Sequence, residues 1–346
     1  MKNIRLLLFC VIVMITACEK EIEQDGTFTQ AGTIQGPADG IASIAVSPDG
    51  TMFAYGNYTD HLIRIIKVST RKEIRTLSGH TQAVTGLAFS PNGKLLASTG
   101  TVNLGEPVDG TVRLWDVERG TELAYVETAP AGITQLAFSP DGSILAGAGG
   151  GGSALAVNLW NTTDLGLMRS LDGVFRMAAF SPDGSRIATG KRDDKVYIMD
   201  VATGTEITSF SGHDGWIKAV AYSSDGQKIA TGGEDRLIHV RNAQNGQTTK
   251  TLTGHTSSPE YLEFSPDASM LASCGSGINV TYSGGGMSIT LSSEDQVVRI
   301  WDVASGTELA LVNTESDVIS TTSFSSDWTI LVTGSDTGLI RIFEWK

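Results

Sequence analysis

The sequence predicts an all-β repeat protein. A unit of about 40 residues recurs some seven times between Ile41 and Lys346, and a period in that range decides architecture before any local assignment. Each copy is centred on a Ser-Pro-Asp-Gly type turn set between two apolar runs. Composition agrees: 40 of 346 residues are glycine, 40% are hydrophobic and only 18% are charged, which suits tight turns and buried strands and excludes a disordered chain.

Gly79 to Asp116 is the clearest copy. Gly79-His80 opens it, an apolar strand runs from Ala83 to Phe89, and Ser90-Pro91-Asn92-Gly93 turns the chain. A second strand spans Lys94 to Ser98, a third spans Thr111 to Trp115, and a fourth, Thr121 to Val126, leads to the next copy. Pro presets φ at the first central position of the turn, Asp or Asn caps it locally, and Gly takes the left-handed position that follows. The turns begin at Ser47, Ser90, Ser139, Ser181, Ser223, Ser265 and Ser325, at intervals of 43, 49, 42, 42, 42 and 60 residues. Ser224 and Ser326 replace the proline. Ala268 and Trp328 replace the glycine, so those two turns are expected to be less regular. Runs such as Leu95-Leu96-Ala97 are apolar on both faces, as a strand must be when its sheet is packed between two others.

These residues resemble the WD-repeat family over nearly all of 27–346. Besides the turns, the resemblance rests on Gly79-His80, Gly212-His213 and Gly254-His255, and on Trp115-Asp116 and Trp301-Asp302. It implies a seven-bladed β-propeller of four-stranded antiparallel blades. It also implies a buried hydrogen-bonded set of His, Ser or Thr, Asp and Trp in each complete blade: His80, Ser98, Asp109 and Trp115 in the second, His255, Ser273, Asp295 and Trp301 in the sixth. The fifth has His213, Thr231 and Asp235, with Arg241 at the Trp position. The third has Trp160 but Ala154 for the Asp, and the fourth has Thr189 and Asp193 with Met199.

The last copy runs out just after its third strand, at Phe343-Glu344-Trp345-Lys346, while Thr27 to Gly36 is spare and aligns with a fourth strand at an offset of 43 residues. Residues 27–35 are therefore expected to complete the last blade and cover an edge that would otherwise invite pairing with other chains.

Residues 1–17 read as a signal peptide: a basic start at Lys2 and Arg5, then an apolar run from Leu6 to Ile15, too short to span a bilayer. Ile15-Thr16-Ala17-Cys18 resembles the bacterial lipobox, which implies lipidation of Cys18 and an anchor at a membrane of the cell envelope, on its periplasmic or surface side. Residues 18–26 then form an acidic tether. Its Glu19-Lys20-Glu21 start resembles the surface-export signal of some bacterial lipoproteins, and reads equally as a solvated spacer. With Cys10 and Cys18 in this leader, only Cys274 remains, so no disulfide framework is available; a small buried thiol is expected there.

A formal charge of −13 argues against nucleic acid as partner. No catalytic serine elbow, zinc-protease helix or paired-cysteine spacing appears, so neither enzyme activity, metal nor cofactor is expected. Gly149 to Gly152 leads into a strand and not a helix, which rules out a phosphate loop. What remains is binding. Two links between second and third strands are lengthened, 101–108 and 276–292, the latter either a binding loop with Tyr282 or a plain extra hairpin. Repeat offsets place Thr85, Thr134, Arg176, Lys218, Glu260 and Ser320 at the channel mouth, with Trp216 beside them, and Arg192, Glu234 and Glu294 just before the turn Asp. Trp216 is the best anchor candidate, since aromatics dominate contact sites. The expected function is a monomeric, lipid-anchored, protein-binding scaffold. A small-molecule binder or enzyme at the mouth, and a subunit of an envelope assembly complex, stand as alternatives.

Overall fold

A computed structural model describes residues 27–100, 109–128, 133–149, 156–172, 177–191, 193–275, 278–283, 286–291, 295, 297–313 and 317–346, for 172, 278–283, 286–291 and 313 the backbone only. Seven four-stranded antiparallel sheets form a seven-bladed β-propeller. Blade one runs Ile41–Val46, Met52–Asn57, Ile63–Lys67 and Lys72–Leu77, each strand bonded to the next. Blades two to five repeat that up-and-down order from Val84, Gln135, Ala178 and Ile217, and blade six starts at Pro259.

Burial explains the composition of each strand. In blade one the inner three strands are almost wholly buried, while five of six residues in the outer strand Lys72–Leu77 are exposed. The apolar core accordingly sits between blades, not within one. Ile63, Ile65 and Leu77 of blade one pack on Val84, Leu96 and Trp115 of blade two, and Val112 and Leu114 of blade two pack on Leu136, Leu145 and Trp160 of blade three. A blade alone would leave both faces wet, which is why the units stack into a ring. Side chains also bond across the blade boundaries: Ser43 Oγ donates to the Val84 carbonyl at 2.8 Å, and Thr99 Oγ1 to the Ile133 carbonyl at 2.9 Å.

The ring closes as the spare segment foretold. Phe28–Gln35 pairs antiparallel with Leu339–Trp345, from Phe28 opposite Trp345 to Gln35 opposite Leu339, with one irregularity between Gln30 and Gly32. Thr27 and Lys346 exchange both backbone hydrogen bonds, at 2.8 and 3.0 Å.

The two glycine-free turns are regular, contrary to expectation. Ala268 and Trp328 take φ of 57° and 62°, close to the 66° and 69° of Gly50 and Gly93, and the turn hydrogen bonds to Ser265 and Ser325 measure 2.8 and 2.9 Å. The carboxylate of each turn enforces the geometry. Asp267 Oδ1 accepts from Ser265 Oγ and from the Ser269 N–H, and Asp327 does the same with Ser325 and Thr329. That network outweighs a left-handed cost of about 1–2 kcal/mol. The serines standing in for proline form bonds a proline lacks: Ser224 Oγ donates to the Pro266 carbonyl at 2.6 Å, and Ser326 Oγ to the Pro48 carbonyl at 2.7 Å, from blade seven to blade one.

Within the long link of blade six, Ile278–Ser283 pairs with Gly286–Leu291 as a separate two-stranded hairpin. The extra residues are thus a formed element of their own.

Candidate functional site

The Gly-His loops bring one histidine back over the start of the blade that follows. In blade two, His80 Nδ1 lies 2.9 Å from Asp109 Oδ2 and its Nε2 lies 2.7 Å from Ser98 Oγ. Trp115 Nε1 donates to the same Ser98 oxygen at 2.7 Å. Blade six repeats this with His255, Asp295, Ser273 and Trp301, at 2.5, 2.6 and 2.7 Å. All eight residues are buried. Burial alone would raise the Asp109 carboxyl, yet hydrogen bonds from His80, Thr111 and the Thr81 N–H outweigh it and hold the group well below the usual carboxylate range. The sets thereby tie the loop, the second strand and the third strand of a blade into one block.

Blade five is built on the same plan with different parts. His213 Nδ1 meets Asp235 at 2.9 Å and its Nε2 meets Thr231 Oγ1 at 2.9 Å. Arg241 occupies the tryptophan register, opposite Ile229 as Trp115 is opposite Leu96. Its Nε lies 3.5 Å from Thr231 Oγ1 and its Nη1 donates to the carbonyls of Ser211 and Gly246 at 3.2 and 3.3 Å. A buried cation is thus hydrogen-bonded where a neutral indole stands elsewhere. Blade four departs further: Thr189 Oγ1 has no hydrogen-bond partner, and Asp193 accepts instead from the Tyr197 hydroxyl at 2.8 Å.

Three of the residues expected at the mouth converge. Lys218 Nζ lies 2.9 Å from Glu234 Oε1 and 5.4 Å from the centre of the Trp216 ring. The Trp216 N–H donates to Glu234 Oε2 at 3.3 Å, and the Glu234 N–H returns to the Trp216 carbonyl at 3.0 Å. The Trp216 side chain is half-buried and Glu234 is exposed. Glu260 is exposed on the adjoining inner strand. Cys18, Arg176, Arg192, Glu294, the link 101–108 and the Tyr282 side chain lie outside the described residues. Cys274 is 4% exposed, and burial pushes its thiol up to about 12, so it is inert. A cleft of about 250 Å³ opens at the other end of the ring, between Pro266, Met270, Trp328 and Trp345.

Sequence reasoning missed His239. It stands in the third strand of blade five, opposite Thr231, where Arg113 and Arg299 stand opposite Ser98 and Ser273 in blades two and six. An alignment of the repeats on their turns exposes that exchange, but nothing in the sequence shows the two imidazoles meeting, with ring centres 4.4 Å apart.

A family model described as WD domain, G-beta repeat matches residues 28–67, 71–116, 122–155, 168–200, 204–242 and 246–302. Each matched stretch begins on or near the outer strand of one blade and continues into the next blade, so the sequence repeat is staggered against the structural one. The chain is 32% identical over 104 residues to rice (Oryza sativa subsp. japonica) pre-mRNA-processing factor 19, covering 30% of this chain and 18% of that protein. It is 34% identical over 84 residues to an uncharacterized WD repeat-containing protein of Synechocystis, covering 24% and 22%. It is 32% identical over 85 residues to the target of rapamycin complex subunit wat1 of Schizosaccharomyces pombe, covering 25% of each. The matched stretch is thus a quarter or less of each of these relatives.

Proposed function

The chain belongs to the WD domain, G-beta repeat family, and on that premise we propose that it is a non-catalytic protein-binding scaffold of the bacterial cell envelope, held to a membrane by lipid on Cys18. The observation that carries the binding half is the Trp216–Lys218–Glu234 cluster on the Gly-His side of blade five. An indole backed by a paired lysine and carboxylate offers apolar area with a polar rim, the anatomy of an interaction centre. A rigid ring presenting loops suits a partner of macromolecular size. Relatives point the same way: the fission-yeast protein is by its name a subunit of a complex. The leader and the lipobox resemblance support the anchored half.

Crosslinking in intact cells followed by mass spectrometry tests this reading. One stoichiometric protein partner is expected with the native chain, and Trp216→Ala with Lys218→Glu should lose it while leaving the melting temperature within a few degrees. Recovery of the same partner at the same yield from the double variant would remove this face as the contact. A chain that returns no protein partner would count against the scaffold.

A further inference from the structure

Blade five carries a second histidine where its sister blades carry arginine, and that exchange has a chemical consequence. In blade six, Arg299 Nη2 stands 3.5 Å from Asp295 and brings it a fixed positive charge. In blade five His239 takes that position, and among the described residues the only ion-pair contact within 4.0 Å of Asp235 is His213. One ligand-capable atom from each of His213, Asp235 and His239 lies within 4.8 Å of the other two. We propose that these three side chains form a binding site for a zinc-like divalent cation at the Gly-His end of blade five.

Each ligand is already anchored by its neighbours, as donors around a metal usually are. His213 is fixed through Nε2 on Thr231 Oγ1 at 2.9 Å. His239 is fixed through Nδ1 on Thr251 Oγ1 at 3.0 Å. The Asp235 carboxylate accepts from the N–H groups of Asp214 and Leu237 at 3.0 and 3.1 Å. His239 Nε2, by contrast, is buried and makes no hydrogen bond, although the Gly212 carbonyl is near enough to favour the charged ring. An imidazole nitrogen left without a partner in the interior costs free energy unless something occupies it. Two imidazoles and one carboxylate are the donor set that borderline metals take, at about 2.0–2.2 Å, with a fourth position left for water. A metal bound there would replace the His213–Asp235 hydrogen bond with a shared ion.

Electrostatics permit the charge. Arg241 is the opposing group; its Nη1 is engaged by the Ser211 and Gly246 carbonyls. Blades two and six lack the site for a plain reason: a guanidinium donates only hydrogens and repels a cation.

The test uses the full chain, purified in detergent, stripped with a chelator and titrated with zinc chloride in a calorimeter. One zinc per chain is expected, with a rise in melting temperature on saturation. His239→Arg, which installs the residue of the sister blades, and Asp235→Asn should each weaken binding at least tenfold. Absence of zinc binding, or binding of unchanged stoichiometry and affinity in both variants, would overturn the site. Should neither variant fold, cobalt(II) on the native chain decides: an intense tetrahedral visible band supports the site, and a colourless titration removes it.

Discussion

Phe28 packs against Trp345 with ring centres 4.9 Å apart, residues 317 positions apart in the chain. Phe324 meets Phe28 edge-on at 5.5 Å, and Trp328 and Tyr261 continue the aromatic group at 4.9 and 6.3 Å from Phe324. This is the seam at which the ring shuts, and it joins blades six and seven to the strand Phe28–Gln35. Removing residues 27–35 strips a full ladder of backbone hydrogen bonds and this aromatic cover. The melting temperature should fall sharply and the exposed edge of Leu339–Trp345 should promote self-association, read by calorimetry and light scattering. Phe28→Ala, a smaller insult to a half-buried ring, should cost about 1.5–3 kcal/mol in urea unfolding.

Ser98 is the shared partner of His80 and Trp115, so one small change orphans two buried groups. Ser98→Ala should destabilise by about 1–3 kcal/mol, and Ser273→Ala by a similar amount, because each leaves an imidazole Nε2 without its hydroxyl partner and an indole N–H without an acceptor. Substituting an exposed serine such as Ser69 should leave the urea midpoint nearly unchanged. Equal midpoints for Ser98→Ala and the control would mean that the sets contribute nothing to stability.

Glu263 gives the fold a pH dependence of identifiable sign. Its residue is half-buried, yet its carboxyl is enclosed, and the Tyr261 hydroxyl donates to it. Burial pushes it up to about 8 from 4.5, with the Trp328 indole offsetting only part and Trp328 Nε1 closing no hydrogen bond of its own. The folded state thus prefers the neutral acid. Its contribution is whole below the ordinary carboxylate range and is lost as pH rises through about 8. Urea midpoints should therefore decline between pH 5 and 8.5, and Glu263→Gln should flatten that decline. Parallel pH profiles for the two chains would assign the slope elsewhere.

The proposed lipid on Cys18 makes a prediction separable from the propeller. Cys18→Ser should move the chain from the membrane fraction to the soluble one and alter its processing, with the blade architecture and melting temperature unchanged. A variant that sediments with membranes and is processed normally would remove the anchor.

The repeats were legible because a turn has chemistry. Ser47, Asp49 and Gly50 carry the φ values and hydrogen bonds of the turn in their own side chains and backbones, so seven copies announce seven blades wherever they occur. The spare strand was equally readable: an unfilled outer position at one end and an unassigned β segment at the other leave one solution. The expectation of irregular turns at Ala268 and Trp328 failed because residue type was weighed without the carboxylates of Asp267 and Asp327, which hold the loop whatever follows them.

By itself the sequence determined the strand order, the blade number and the closing strand, since these follow from local turn chemistry and a fixed spacing, while the partners within the His80 and His255 sets were implied by the resemblance to the WD-repeat family. Only the tertiary structure decided that Arg241 would be hydrogen-bonded in a tryptophan's place, that Lys218 and Glu234 would pair beside Trp216, and that His239 would face His213 with one nitrogen unmatched. Those relationships depend on side-chain directions across neighbouring strands and loops, where an ångström separates a bond from a gap and no periodicity records it.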